Sequence, residues 1–153
     1  VLADTPAPPS VRVKAYNHLL GECGVVFFAA PELAAELRRG FPRSLDGAPF
    51  LLPGENTELR RSLDAWLQAH DLHPQITSEF DDSALLKVFG QAGRGVFAAP
   101  AAIEKEVRQQ FGVRVVGRAD ELRERFYAIT VEKRLTNPAV QAISSAAKSD
   151  VFA

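Results

Sequence analysis

The stretch Val25-Val26-Phe27-Phe28-Ala29-Ala30-Pro31-Glu32-Leu33-Ala34 decides how the chain is to be read. Its first five residues are a continuous apolar run of strand length, rich in Val and Phe, which suits a strand covered on both faces. Pro31 then stands where a first helical residue stands, since its missing N–H has no partner to lose there. Leu33, Ala34 and Leu37 share one helical face, and Gly40 follows as a stop signal. A buried strand feeding an amphipathic helix is the building unit of an α/β domain.

The unit recurs downstream. Pro49-Phe50-Leu51-Leu52-Pro53 is a short strand bracketed by prolines, and Gly54-Glu55-Asn56-Thr57 turns it into a helix bearing Leu59, Leu63, Trp66 and Leu67. Asn56 or Thr57 serves as the cap. Ile76, Ser78 and Phe80 mark the next strand, and Asp81-Asp82-Ser83 cap a helix carrying Leu85, Leu86, Phe89 and Ala92. Val96 to Ala99 is a further buried strand. Pro100 starts a helix with Ile103, Val107 and Phe111 inside, and Val113 to Val116 closes the series. Short connections and regular alternation predict an α/β fold with a largely parallel central sheet.

The two ends depart from this rhythm. Val11, Val13 and Ala15 alternate with Arg12, Lys14 and Tyr16 as a half-exposed strand does, and His18 to Glu22 either continues it or connects it onward. Arg125 to Val131 is a strand that follows another strand. Asn137-Pro138 then caps a last helix with Val140, Ile143 and Ala147.

Composition narrows the function classes. The 153 residues, 46% hydrophobic and 24% charged, suit one soluble domain or one lobe of a larger one. A net charge of −1 gives no electrostatic footprint for nucleic acid. Acidic residues interleave with Arg38, Arg39 and Arg43 and with Arg60 and Arg61, as on solvated faces. Cys23 is the single cysteine, which excludes an internal disulfide and fits a reducing, cytoplasmic compartment. No apolar run reaches the length of a membrane span. Methionine is absent, and Val1-Leu2-Ala3-Asp4 before a proline-rich stretch reads as the end of a buried strand, so a fragment of a longer chain is expected.

Few constellations carry chemistry. Gly90-Gln91-Ala92-Gly93-Arg94-Gly95 follows a helix and precedes a strand, the reverse of a phosphate loop, and reads as a helix end. His70-Asp71-Leu72-His73 lacks the i, i+4 spacing of a helical zinc site. Glu79, Asp81 and Asp82 gather at a strand–helix junction, where capping accounts for an aspartate. No nucleophile elbow or paired acid–base set is present, and no cofactor is called for. In open α/β sheets ligands collect at carboxyl ends of strands, next to helix N-termini. Ala29-Ala30 before Pro31, Pro53 to Thr57, and Phe97 to Ala99 before Pro100 are such places. The second combines glycine, polar side chains and a helix N-terminus.

The order of these motifs is familiar. Val25 to Pro31, then Leu45-Asp46-Gly47-Ala48-Pro49-Phe50-Leu51, Trp66, Pro74-x-Ile76, and Gly93-Arg94-Gly95-Val96-Phe97 with Pro100, resembles the C-terminal regulatory region of LysR-type transcriptional regulators. Leu20 to Gly24, Leu52 to Asn56 and Gly90 to Phe97 are similar to the branch that activates Na+/H+ antiporter genes in response to sodium or lithium. The resemblance implies a type 2 periplasmic-binding-protein-like effector domain, with two α/β lobes joined by crossing strands and a small effector between them. Closure is relayed through a homo-oligomer to an N-terminal winged helix-turn-helix that alone touches DNA; neither that element nor most of lobe one has a counterpart here.

On this resemblance residues 1–22 are the end of lobe one and the first crossing segment, 23–120 are lobe two, and 121–153 are the return strand and C-terminal helix. The effector contacts carried over are Gly54, Asn56, Thr57, Val96 and Phe97, with Glu55 and Glu79 as candidate carboxylates for a sodium or lithium ion. No membrane partner is implied. With most of lobe one missing, effector binding is expected to be weak or absent, and the bared apolar faces of the crossing strands and of Val140 and Ile143 are expected to pair with a second copy or to be poorly ordered. A solute-binding protein of the same fold, capturing ligand in the periplasm, is the alternative.

Overall fold

The apolar run forms the last five residues of one long strand, β2 (Tyr16–Ala29), and His18 to Glu22 belong to that same strand. The computed structural model describes residues 2–6, 15–131 and 138–152. Two compact units emerge, one of residues 24–122 and one of residues 1–23 with 123–153.

In the unit of residues 24–122, the elements after β2 are α1 (Pro31–Leu37), β3 (Pro49–Pro53), α2 (Glu58–Ala69), β4 (Gln75–Phe80), α3 (Ser83–Gln91), β5 (Phe97–Pro100), α4 (Glu104–Phe111) and the first part of β6 (Arg114–Thr130). Strand β2 lies between β6 and β5. Strands β3 and β4 pair in parallel, and a parallel bridge between Phe50 and Val96 joins β3 to β5. Thr77 is the extra residue where Phe50 faces Ile76 but Leu51 faces Ser78.

The sheet is mixed, not largely parallel. β2 runs antiparallel to β5, with Val25 opposite Pro100 and Phe28 opposite Phe97. A helical crossover forces parallel pairing only on the strands it joins, as α2 does for β3 and β4. β2 meets β5 across the whole unit, so nothing imposes that direction.

From Gly24 to Ala29 both faces of β2 are buried, which is why this part of the sequence shows no alternation. Val25, Phe27 and Ala29 enter one cluster with Phe50, Leu52, Leu63, Trp66, Val116 and Leu122. Val26 and Phe28 enter the other with Leu51, Leu86, Phe97, Val107 and Val113. The Phe27 ring sits 5.2 Å from Trp66 and 5.5 Å from Phe41, and Phe28 stacks on Phe97 at 5.5 Å. Such pairs add about 0.5–1.5 kcal/mol beyond the area they bury.

Several sequence boundaries move. Pro100 ends β5 instead of opening a helix; a 3-10 turn, Ala101–Ile103, intervenes before α4. Val113 to Val116 and Arg125 to Val131 are not two strands. One 17-residue strand, β6, covers Arg114–Thr130. In its first part the buried residues Val116, Ala119 and Leu122 are three apart, and only from Leu122 through Glu124 to Ala128 is the spacing even, so a search at period two does not find the whole strand.

In the unit of residues 1–23 and 123–153, β1 (Leu2–Ala3) pairs antiparallel with β6, Leu2 facing Ala128. Helix α5 (Pro138–Ala146) runs into a wider helical turn, Ala147–Val151. Phe152 lies over Gly21, where a Cβ has no room, and its ring meets Phe126 at 5.3 Å. Glu22 reaches Arg123 and Arg125, both at 3.3 Å. Leu2 is 63% and Ile143 49% exposed. They border an apolar groove of about 440 Å³ shared with Leu20, Phe126, Ala147 and Phe152. Val11, Val13 and Asn137, which carried the expected first strand and last cap, lie outside the described residues. No helix among the described residues is long and apolar enough to cross a membrane.

Candidate functional site

The loop from Gly54 to Thr57 is built by the ends of two parallel strands. Gly54 N–H donates to the Phe80 carbonyl at 2.8 Å, which locks the exit of β3 to the exit of β4. A Cβ on Gly54 would meet the Asp81 carboxylate, so a larger residue here would make that exposed side chain swing aside. Thr57, and not Asn56, caps α2: its hydroxyl donates to the Gly54 carbonyl at 2.9 Å and accepts from Arg60 N–H at 3.2 Å. Glu55 and Asn56 are left exposed at the tip.

Arg60 organises the charge beneath the loop. Its guanidinium side chain, 11% exposed, donates to the Pro53 carbonyl at 3.0 Å, to both Asp64 oxygens and to Glu79 at 3.1 Å. Glu79 therefore already has a cation. Asp82 caps α3 through Ala84 and Leu85 N–H, as capping alone requires. Among the described residues no three His, Cys, Asp or Glu gather closely enough to hold a metal ion.

Gly54, Asn56 and Thr57 are brought together, while Val96 and Phe97 are placed elsewhere. Parallel pairing with Phe50 opposite Val96 sets Gly54 level with Pro100, so Val96 and Phe97 enter β5 at the far end of the sheet. That is about 13 Å from the loop for Val96 and about 10 Å for Phe97, at about 3.3 Å per residue. Both are fully buried, Phe97 against Phe28. Val96 spends its N–H on Pro49 and its carbonyl on Leu51, each at 2.8 Å. Of the three strand ends, the exits of β3 and β5 lie at the same end of the sheet. The exit of β2 at Ala29-Ala30 lies at the opposite end, because β2 is antiparallel to β5.

The remaining motifs have structural partners. Gly93, at φ +78°, ends α3 with its N–H on the Gly90 carbonyl, and Gly95 lies close against Pro49. His73 Nε2 contacts Asp71 at 3.0 Å, whereas His70 turns to the Trp66 carbonyl, so the two imidazoles do not converge. Trp66 Nε1–H donates to Glu121 at 2.6 Å, a bond that the sequence does not announce. The i, i+4 spacing of Trp66 and His70 is visible in sequence, but Glu121 lies far along the chain and carries no local signal.

Solved regulatory domains share this architecture. The apo regulatory domain of HypT from Salmonella typhimurium superposes with a TM-score of 0.67 at 21% identity, covering 88% of this chain and 68% of that one. The CcmR regulatory domain of Synechocystis PCC6803, in complex with 2-PG, gives 0.63 at 13% identity over 98% of this chain and 72% of the other. The fold is that of an α/β effector domain of the type 2 periplasmic-binding-protein kind. The model of the LysR substrate binding domain matches residues 8–150, and the chain belongs to that family. The transcriptional activator protein NhaR of Escherichia coli K12 is 31% identical over 155 residues, 99% of this chain and 50% of NhaR. The chain thus spans about half the length of the curated relatives it matches.

Proposed function

We propose that the chain is the effector-sensing part of a cytoplasmic LysR-type transcriptional regulator that activates its target genes on exposure to sodium or lithium. The supporting observation is the 31% identity to NhaR, which extends over 99% of the chain. Residues 24–122 serve as lobe two of the effector domain, and residues 1–23 and 123–153 supply the crossing segments and a part of lobe one. The intact regulator works as a homo-oligomer and meets DNA through an N-terminal winged helix-turn-helix. Ligand enters by favouring one arrangement of the lobes over another. In this role the chain carries out no catalytic step.

Within lobe two, the Gly54–Thr57 loop is the contact for effector. It offers the exposed Asn56 amide, the exposed Glu55 carboxylate and the N-terminus of α2. Glu55 is the better cation ligand of the two carboxylates considered, because Glu79 already pairs with Arg60. The test is a reporter assay in the intact regulator with Asn56→Ala and Glu55→Gln. Both variants are expected to lower induction by sodium and lithium chloride without changing the amount of folded protein. Unchanged induction in both overturns the assignment.

A further inference from the structure

Trp66, the single tryptophan of the sequence, is 5% exposed and donates its Nε1–H to Glu121 Oε1 at 2.6 Å. One helical turn later, His70 lays its imidazole against the indole with ring centroids 4.5 Å apart. His70 Nδ1 lies 2.9 Å from the Trp66 main-chain oxygen. A carbonyl oxygen only accepts, so Nδ1 carries the hydrogen and the neutral ring has a bare Nε2. That Nε2 lies 4.0 Å from the same Glu121 Oε1 that Trp66 holds.

The Trp66 N–H keeps the Glu121 carboxyl below the usual carboxylate range, helped by Glu121's own backbone and opposed by burial. An ionised carboxylate therefore waits beside the unprotonated nitrogen. Arg43 and Asp71, which also lie near His70, have partners of their own. Arg43, from the 3-10 turn Arg43–Leu45, donates to the main-chain oxygens of His70 at 3.3 Å and Asp71 at 3.2 Å, and lies 3.8 Å from Asp46. Asp71 gives its carboxylate to His73. Glu121 is the carboxylate that faces the His70 ring.

We propose that Trp66, His70 and Glu121 form a proton-operated clasp between α2 and β6. When Nε2 takes a proton from solvent, the imidazolium gains an ion pair with Glu121 that the neutral ring cannot make. The last turn of α2 is then fastened to β6 one residue before Leu122, where the strand leaves this unit. Histidine is the side chain whose ordinary charge change lies between about pH 5 and 8, and that is the range in which the clasp is tested. Its position against the indole makes Trp66 the reporter of its own clasp, because an imidazolium and a neutral imidazole quench indole emission differently. The proposal does not depend on which effector the domain senses.

The experiment follows Trp66 emission between about pH 5 and 8 in the 153-residue chain and in its His70→Gln and Glu121→Gln variants, with circular dichroism as the check on folding. The expected result is one transition, absent in His70→Gln and moved to lower pH in Glu121→Gln. A transition that persists in His70→Gln, or keeps its midpoint in Glu121→Gln, overturns the clasp. Should Glu121→Gln fail to fold, the His70 ring resonances of the unaltered chain are titrated at low and high salt. Screening weakens a half-exposed ion pair, so high salt must lower the midpoint. An unmoved midpoint overturns the proposal.

Discussion

Gly90 occupies a helical position where alanine is ordinarily the better residue by about 0.8–1.0 kcal/mol. Here the ring of Phe97 takes the space that a Cβ would need. Phe97 is fully buried and stacked on Phe28, so it has nowhere to move. Overpacking of this kind costs about 1–3 kcal/mol, and it outweighs the helical gain. Gly90→Ala is therefore expected to lower the urea midpoint of the chain, while Gln91→Ala, one exposed residue further on, leaves it within error. A Gly90→Ala variant as stable as the parent would mean that the contact with Phe97 gives way easily.

At the scale of elements, α4 is tied to β6 by a bidentate pair between Glu104 and Arg118, one of its bonds measuring 2.6 Å. The hydrogen bonds from Arg118 hold the Glu104 carboxyl below its ordinary value against the opposing effect of burial, with Arg108 assisting. A carboxyl depressed in the folded state adds stability above its unfolded value, and loses it as pH falls through the folded one. Arg118→Met is thus expected to destabilise the chain at neutral pH. The gap to the parent should narrow as pH drops through and below the carboxylate range, read by urea unfolding at several pH values. A gap that does not change with pH would assign the loss to packing of the Arg118 stem.

Which elements could be read from sequence follows from what marks them. Helices α1, α2 and α3 carry their own punctuation in Pro31, Thr57 and Asp82, and the doubly buried strand from Val25 announces itself by unbroken apolar residues. The length of β2 and β6 was hidden, because Gly21 and Gly24 look like breaks and Leu20, Cys23 and Gly117 do not alternate with polar neighbours. Glycine at 21 in fact makes room for Phe152. The direction of β2 is a tertiary fact with no local trace. Likewise the Gly54 loop was legible as a turn at a helix start, whereas the separation of Val96 and Phe97 from it depends on the Phe50–Val96 register.

For the molecule as a whole, 18 basic and 19 acidic side chains nearly cancel. Many are paired locally, as in Arg60 with Asp64 and Glu79, and Arg61 with Glu58. A net charge of −1 offers little attraction to a polyanion, so duplex DNA is not expected to bind. Fluorescence anisotropy with a labelled duplex is expected to stay flat at physiological salt; a salt-sensitive rise would reveal a basic surface formed by association. The placement of β2 and β6 has one more consequence, for the order of assembly. The cluster around Phe27 is closed by Val116, Ala119 and Leu122, and Trp66 finds Glu121 on that same strand. A ribosome must therefore release nearly the whole of the 24–122 unit before its core can be sealed. Phe27, Phe28 and Phe50 stay exposed during elongation, and loop closure over this distance slows the last step. Synthesis itself is then the period in which this chain most needs protection from aggregation.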